Sequence, residues 1–415
     1  MEGDCEIILS SDESKVLTGG QKNEYETDGR TGLGMAVDIG TTTMAAYLMD
    51  MQSGRELSHA SMLNPQRIHG ADVVSRLEFE CASDDNRVLL QEEISAALTE
   101  LAGILLEKAG RSGEKVENLA LVGNTVMMHM AGGYDAGGIA KAPFTPAYTQ
   151  LHSRNFIGMN TVFGGCVSGY VGADTLGAML ACDFDKHTDN VLLIDIGTNG
   201  EIALTANGRY LTCSCAAGPA FEGAHIACGT GAVDGAMDHL FGQKNGFGFT
   251  TIKNEKISGI CGSGLIDAAA YLLEEEEISP VGRMSGRFDI AEGVYIDPAD
   301  IREVQLAKAA IAAGIEILVD RAGITYDDIS EVYLAGGFGN YINISSACRI
   351  GLLPVELEKK IKCVGNAAGD GAKMQLLSEK ARRRAEEIRN KTDYIELSAQ
   401  DEFEDVYTDN LMFEE

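Results

Sequence analysis

The tetrapeptide Asp-Ile-Gly-Thr occurs twice in this chain, at 38–41 and again at 195–198, each time behind a run of apolar residues. MAVDIGTTTMAAYLM (35–49) and VLLIDIGTNGEIALT (191–205) both read as an apolar strand, a glycine turn and a second strand of small and apolar residues. Such a hairpin aims backbone amides at an anion, and its glycine removes the Cβ that would block the approach. The matched order continues downstream. EEISAALTELAGILLEKAG leads into VENLALVGN in the first half, and VQLAKAAIAAGIEILVDRAG leads into ISEVYLAGGFGN in the second. Both helical strings close on Ala-Gly, the expected glycine stop. Gly110 to Gly123 and Gly323 to Gly336 are each thirteen residues apart. Equal spacing between dissimilar strings points to a duplicated α/β unit rather than two unrelated ones.

At 415 residues the chain is long enough for two or three domains with their own cores. The expected division is a flexible acidic leader over 1–33, a first lobe over 34–185 and a second lobe over 186–415. The second lobe ends in a charged helix from Ala381 and the acidic stretch DEFEDVYTDNLMFEE, whose apolar residues predict docking. With 33 Lys+Arg against 63 Asp+Glu, the net charge of −30 repels nucleic acid and anionic lipid over most of the surface, so neither is an expected partner. The start of the chain has no basic, apolar and small-residue signal pattern, and no apolar run is long enough to span a membrane, so a cytoplasmic location is expected. Ten cysteines are present without a Cys-x-x-Cys, and the closest pair is Cys213 and Cys215. That spacing argues against a zinc ribbon or an iron–sulfur cradle and for free, buried thiols. Cys213 and Cys215 are expected in a packed loop, and with Cys228 they form the only grouping that could replace a cluster.

Two opposed hairpins would grip a polyphosphate from both sides. Gly40 and Gly197 open the turns; Thr41, Thr42, Thr43, Thr198 and Asn199 surround them with polar groups. Asp38 and Asp195 would hold Mg2+ beside the phosphates, directly or through water, unless both merely cap their turns. The pattern resembles the superfamily of actin, hexokinase, acetate kinase and the heat-shock chaperone ATPases, which implies a duplicated actin-like (ribonuclease H-like) ATPase fold with two lobes around a nucleotide cleft. AVDIGTTT and LIDIGTNGE resemble its two phosphate motifs. VYLAGGFGN resembles its adenosine motif, in which Gly336, Gly337 and Gly339 lie against the nucleoside. SGYVGADTLGAMLA and VGNAAGDGAKMQLL are similar to the two helices that connect the lobes, with small residues that permit a close crossing. The resemblance places Asp174, near the start of the first of these helices, as the base or water-orienting residue; a plain helix N-cap is the competing reading.

Over residues 34–415 the chain is similar to the ATPase portion of the reductive activators of corrinoid proteins. LNPQRIHGADVVSRL, LVGNTVMMHM, GYVGADTLGAML, CAAGPAFEGAHIACG, ICGSGLIDAAAYLL and RIGLLP carry that resemblance. It implies ATP and Mg2+ as cofactors and a corrinoid protein as partner, with ATP driving an electron onto cobalt(II) to restore cobalt(I). Such activators usually carry an iron–sulfur ferredoxin domain, whereas the leader here contains the single Cys5. No cluster is therefore expected in this chain, and a separate low-potential ferredoxin or other donor is expected to supply the electron. The same resemblance favours a homodimer over a monomer. A small-molecule kinase and a nucleotide-switched scaffold are the competing functions.

Further residues carry two readings each. Glu222 and Gly223 sit where relatives hold a ribose or the phosphate end of a helix, or Glu222 caps a helix. Gly262, Ser263 and Gly264 open the helix GLIDAAAYLLEEE, whose N-terminus could face phosphate or simply begin a helix. Asp72 and Arg76 are spaced for an intrahelical ion pair, and His129 within VMMHM for the core.

Overall fold

In a computed structural model, which describes residues 25–413 apart from 71, 245 and 340, two sheets of six strands each carry the chain. The first half contributes β1 (Leu33–Ile39), β2 (Thr43–Asp50), β3 (Glu56–Leu63), β4 (Val116–Gly123), β5 (His152–Phe156) and β6 (Met159–Phe163), in the order β3-β2-β1-β4-β6-β5. The second half supplies β7 (Asn190–Ile196), β8 (Gly200–Ala206) and β9 (Arg209–Cys215). A three-stranded sheet of β10 (Ala236–Gln243), β11 (Gly246–Thr251) and β12 (Gly259–Ile260) and a hairpin of β13 (Phe288–Ala291) and β14 (Val294–Ile296) follow. Then β15 (Ile329–Ala335), β16 (Ile361–Gly365) and β17 (Thr392–Tyr394) complete the order β16-β15-β7-β8-β9-β17. In each half a three-stranded antiparallel meander is joined, on the side of its first strand, by a parallel strand. Five strands of each sheet thus repeat one topology, with β7 standing where β1 stands and β15 where β4 stands; the sixth differs, β5 running antiparallel beside β6 and β17 parallel beside β9.

The near-continuous apolar runs of the central strands require cover on both faces. On β7, Leu192, Ile194 and Ile196 pack into one core, beneath the helix Pro298–Ala322, while Val191 and Leu193 belong to another with Leu176, Met179 and Leu180 of the helix Ala173–Ala181. The period of two along the strand sorts these residues to opposite faces. The first sheet is covered by the helix Asp84–Lys108, through Leu90, Ile94, Leu98 and Leu101, and by the helix Ala367–Leu377. Ser83 caps the helix Asp84–Lys108 through the Asn86 amide, and Asp297 caps the helix Pro298–Ala322, with Pro298 at its first position. They stop at Gly110 and Gly323, both with φ of +67°.

The connecting helices are exchanged: the one that leaves the first lobe, Ala173–Ala181, covers the second sheet, and the one late in the second half, Ala367–Leu377, covers the first. They cross where a Cβ on Gly371 would stand 2.2 Å from the Gly177 carbonyl oxygen. The expected docking of the acidic C-terminal stretch is also seen: Phe413 is buried, its amide donates to Pro280 O at 2.8 Å, and Lys308 donates to the Met412 carbonyl.

Two expectations change here. Residues 1–24 of the leader, Cys5 among them, lie outside the described residues, but residues 25–32 pack against the protein. Tyr25 is buried, and the Asp28 amide donates to Leu377 O at 3.1 Å. A polar composition hides this because most of the anchors are polar groups, the Tyr25, Thr27 and Arg30 side chains and the Asp28 amide. Cys213 and Cys215 lie on β9 rather than in a loop, on one face at a spacing of two, with the Cys213 thiol against Gly314 O. Burial pushes the Cys215 thiol up to about 12 and raises Cys213 as well, so both are protonated core residues.

Candidate functional site

β1 and β7 run side by side with their parallel partners and deliver Asp38 and Asp195 to the same cleft, of about 1520 Å3. Each hairpin turn closes on a backbone bond, Gly40 N to Thr43 O and Gly197 N to Asn199 O, both 3.0 Å. At Gly40 a Cβ would meet Thr43 O at 2.5 Å, so the turn itself demands glycine; at Gly197 the nearest atom would be 3.6 Å away, which leaves that space open. Thr41, Thr42, Thr43, Thr198 and Asn199 line the cleft with Asp174, Glu222, Gly262, Ser263 and Gly336. Gly223 and Gly339 stand behind the wall. Gly223 ends a short turn with φ of +85°, where a Cβ would meet Thr230 O at 2.4 Å, and Gly339 is buried against Leu334. Gly337 follows Gly336 in the short helix Gly336–Gly339.

The carboxylates share one electrostatic problem. Burial, followed by the charge on Asp174, pushes Asp38 up to about 8, while a bond from Asn366 Nδ2 to Asp38 Oδ2 at 3.1 Å pulls the other way. Burial, then Asp174, raises Asp195 to about 7. Asp174 rises to about 6, chiefly by burial, while the Thr175 amide, 2.7 Å from its Oδ1, lowers it. Asp174 does not cap its helix: the N-cap is Gly172, without a side-chain bond. Among the described residues no group of three or more His, Cys, Asp or Glu is disposed to hold a metal by itself. Asp38 and Asp195 offer oxygen donors of the kind that Mg2+ takes, one or two carboxylates with water and phosphate completing the shell.

Sequence reasoning missed Glu201, which faces Asp195 directly across the β7–β8 pair and whose carboxyl is raised by burial and then by Asp174. Like charges directly opposite in a sheet are destabilising, and burial accordingly favours the neutral form of both carboxyl groups. The signal was legible only through the turn length: the three-residue turn Gly197–Asn199 pairs Ile196 with Gly200 and so sets Glu201 opposite Asp195. Gly336 has φ of +89°, and a Cβ there would stand 2.4 Å from Asp195 Oδ1, so the adenosine-type glycine makes room for that carboxylate.

The first hairpin is braced by side chains from three later segments. Asn64 donates to Gly40 O at 2.9 Å, and Asn124 donates to Thr41 Oγ1 at 3.0 Å. The Arg76 guanidinium, fully buried, donates to the Thr41 carbonyl and, at 2.9 Å, to Gly70 O. The intrahelical pair expected between Asp72 and Arg76 is therefore not formed. Asp72 caps the helix Val73–Cys81 through the Ser75 amide at 2.8 Å, which turns its carboxylate away and frees Arg76 to reach the hairpin. The second hairpin is tied by one such bond, from the Thr198 hydroxyl to Glu222 Oε1 at 2.8 Å. Glu222 lies in the short turn Ala220–Glu222 and makes no helix cap. His129 is a core residue: its Nδ1 lies 2.7 Å from Thr125 O, and its Nε2 accepts from the Ala147 amide at 3.0 Å. No helix among the described residues is long and apolar enough to cross a membrane.

Residues 189–415 match the C-terminal domain of RACo, the ASKHA domain, and residues 33–187 match the RACo middle region. The chain is 33% identical to the corrinoid activation enzyme RamQ of Eubacterium limosum, over 92% of this chain and 70% of that protein. It is 27% identical to the [Co(II) methylated amine-specific corrinoid protein] reductase of Methanosarcina barkeri, over 84% of this chain and 70% of that protein. The solved structure of a reductive activator for corrinoid, iron–sulfur protein superposes with a TM-score of 0.82 at 31% identity, covering 94% of this chain and 67% of that one.

Proposed function

Because this chain belongs to the RACo family, with both its middle region and its C-terminal ASKHA domain, we propose that it is an ATP-dependent reductive activator of a corrinoid protein. The observation that carries the reading is the convergence of two Asp-Ile-Gly-Thr hairpins, Asp38–Thr41 and Asp195–Thr198, on one cleft that Asp174 also lines. The two hairpins would hold the phosphates of ATP through their backbone amides, and Asp38 and Asp195 would hold Mg2+ beside them. Bound Mg2+ supplies the positive charge that lets the phosphates lie beside carboxylates. Asp174 orients the water that attacks the terminal phosphate. One electron from a separate low-potential donor converts cobalt(II) to cobalt(I) on the partner, and the nucleotide cycle drives that transfer. A homodimer is the assembly we expect.

Calorimetry tests the nucleotide site. Wild-type protein binds Mg·ATP at one site per chain, and Asp195→Ala weakens it at least about 10-fold, the equivalent of roughly 1.4 kcal/mol. Equal affinity in the two proteins would remove Asp195 from the site.

A further inference from the structure

A chain of buried polar groups leaves the first hairpin and ends on the segment ahead of β1. Asn366, N-cap of the helix Ala367–Leu377, accepts from the Gly369 amide at 2.7 Å and donates to Asp38 Oδ2 at 3.1 Å. The Tyr47 hydroxyl is hydrogen-bonded to the same Asn366 and lies where a Cβ on Gly369 would come within 2.9 Å of it. Lys373, on that helix, is fully buried: its ammonium stands 3.8 Å from the Tyr47 ring centroid, 2.8 Å from Glu56 Oε2 and 3.2 Å from Asp370 Oδ1. Asp370 Oδ1 also accepts the Tyr25 hydroxyl at 2.6 Å.

Tyr25 opens a strap. The Thr27 hydroxyl donates to Met51 O at 2.6 Å, the Asp28 amide to Leu377 O at 3.1 Å, and Arg30 to Leu376 O at 2.6 Å. Residues 25–30 therefore tie the far end of the helix to the β2–β3 turn, while its near end is tied to Asp38. Breaking one member of such a network leaves a buried group unpaired, so its bonds stand or fall together.

We propose that Asn366 is the positioning residue for the Asp38 carboxylate and that, through Tyr47, Lys373 and Asp370, it couples the occupant of the cleft to the strap of residues 25–30. The inference rests on the nucleotide reading of the cleft. A ligand that fixes Asp38 fixes the Asn366 amide, and with it the cap and the helix that the strap grips. The anchorage of residues 25–30 then responds to the cleft. Coupling of this kind is reciprocal: if ligand tightens the strap, loosening the strap weakens the ligand by the same factor.

Hydrogen exchange at the Asp28 amide is the readout. Saturating Mg·ATP slows that exchange about 5-fold or more in the wild type, the low end of ordinary coupling, and Tyr25→Phe weakens Mg·ATP by the same factor from outside the cleft. Asn366→Ser keeps a capping oxygen but cannot reach Asp38, so it abolishes the slowing while the protein, somewhat less stable, still melts in one cooperative transition. Without nucleotide, Asp38→Ala removes the acceptor of Asn366 and speeds Asp28 exchange by a similar factor. Unchanged exchange in Asp38→Ala, or Tyr25→Phe with wild-type affinity, overturns the coupling. Absence of any Mg·ATP binding by the wild type would instead sink the nucleotide reading, and the Asp38→Ala comparison would still decide the coupling.

Discussion

Asp174 is raised to about 6, within reach of neutral pH, and its carboxyl is fastened by the Thr175 amide rather than spent on a helix cap. Asp174→Asn preserves shape and that backbone bond but removes the base, so ATP affinity stays near wild type while hydrolysis falls by ~10²-fold or more. Single-turnover measurement of phosphate release checks this, and equal turnover would make Asp174 structural. Asp38 and Asp195, at about 8 and about 7, hold protons in the folded protein that the unfolded chain has already lost. Their contribution to stability is thus present below the ordinary carboxylate range and is lost as pH rises through 7 and 8. A cation must displace those protons. Apparent affinity for Mg·ATP therefore increases from about pH 6 to about pH 8.5, with proton uptake by the buffer, since Mg2+ binds the ionised carboxylate. Calorimetry in two buffers of different ionisation enthalpy measures it, and a flat pH profile with no proton exchange would contradict the assignment of these carboxylates. The two aspartates were legible because each precedes a glycine turn in a repeated tetrapeptide. Arg76 was not, because local spacing offers Asp72 as its partner and only the tertiary fold brings the Thr41 carbonyl within reach.

The repeated strands and long helices were readable from the apolar runs and glycine stops, since burial on both faces of a central strand writes itself into the local sequence. The exchange of the connecting helices between lobes was not readable, because small residues say that something approaches closely but not what. Gly371 shows the consequence. Its Cβ would meet the Gly177 backbone at 2.2 Å, where neither atom can yield, whereas Gly103 on the helix Asp84–Lys108 has nothing within 4 Å. Gly371→Ala is expected to destabilise by roughly 1–3 kcal/mol through overpacking. Gly103→Ala is expected to stabilise by roughly 0.5–1 kcal/mol through helix propensity. Thermal melts of the two variants decide the matter, and a Gly371→Ala protein as stable as wild type would mean that the helices do not cross there. The strap over residues 25–30 escaped the sequence for a related reason: its bonds are to backbone carbonyls of a helix 346 residues away, and polar composition alone reads as leader.

At the scale of the whole molecule, two copies of one α/β unit face each other across a cleft, and the helices that join them cross with backbone against backbone at Gly177 and Gly371. On the proposed function, such a body would convert the state of a bound phosphate into an angle between lobes, and through it act on the corrinoid partner. The described cysteines are dispersed, several of them buried in the core, and the proposal accordingly places the low-potential donor outside the two lobes. On the proposed function, nucleotide in this cleft drives corrinoid reduction. The direct measurement is anaerobic: the protein, a low-potential donor and a cobalt(II) corrinoid protein of a methyl-transfer system are mixed, and the cobalt(I) absorbance is followed with and without Mg·ATP. The account predicts that cobalt(I) accumulates only when ATP is present and that Asp195→Ala abolishes the accumulation; equal cobalt(I) without ATP, or none with any corrinoid partner while ATP is hydrolysed, would contradict it.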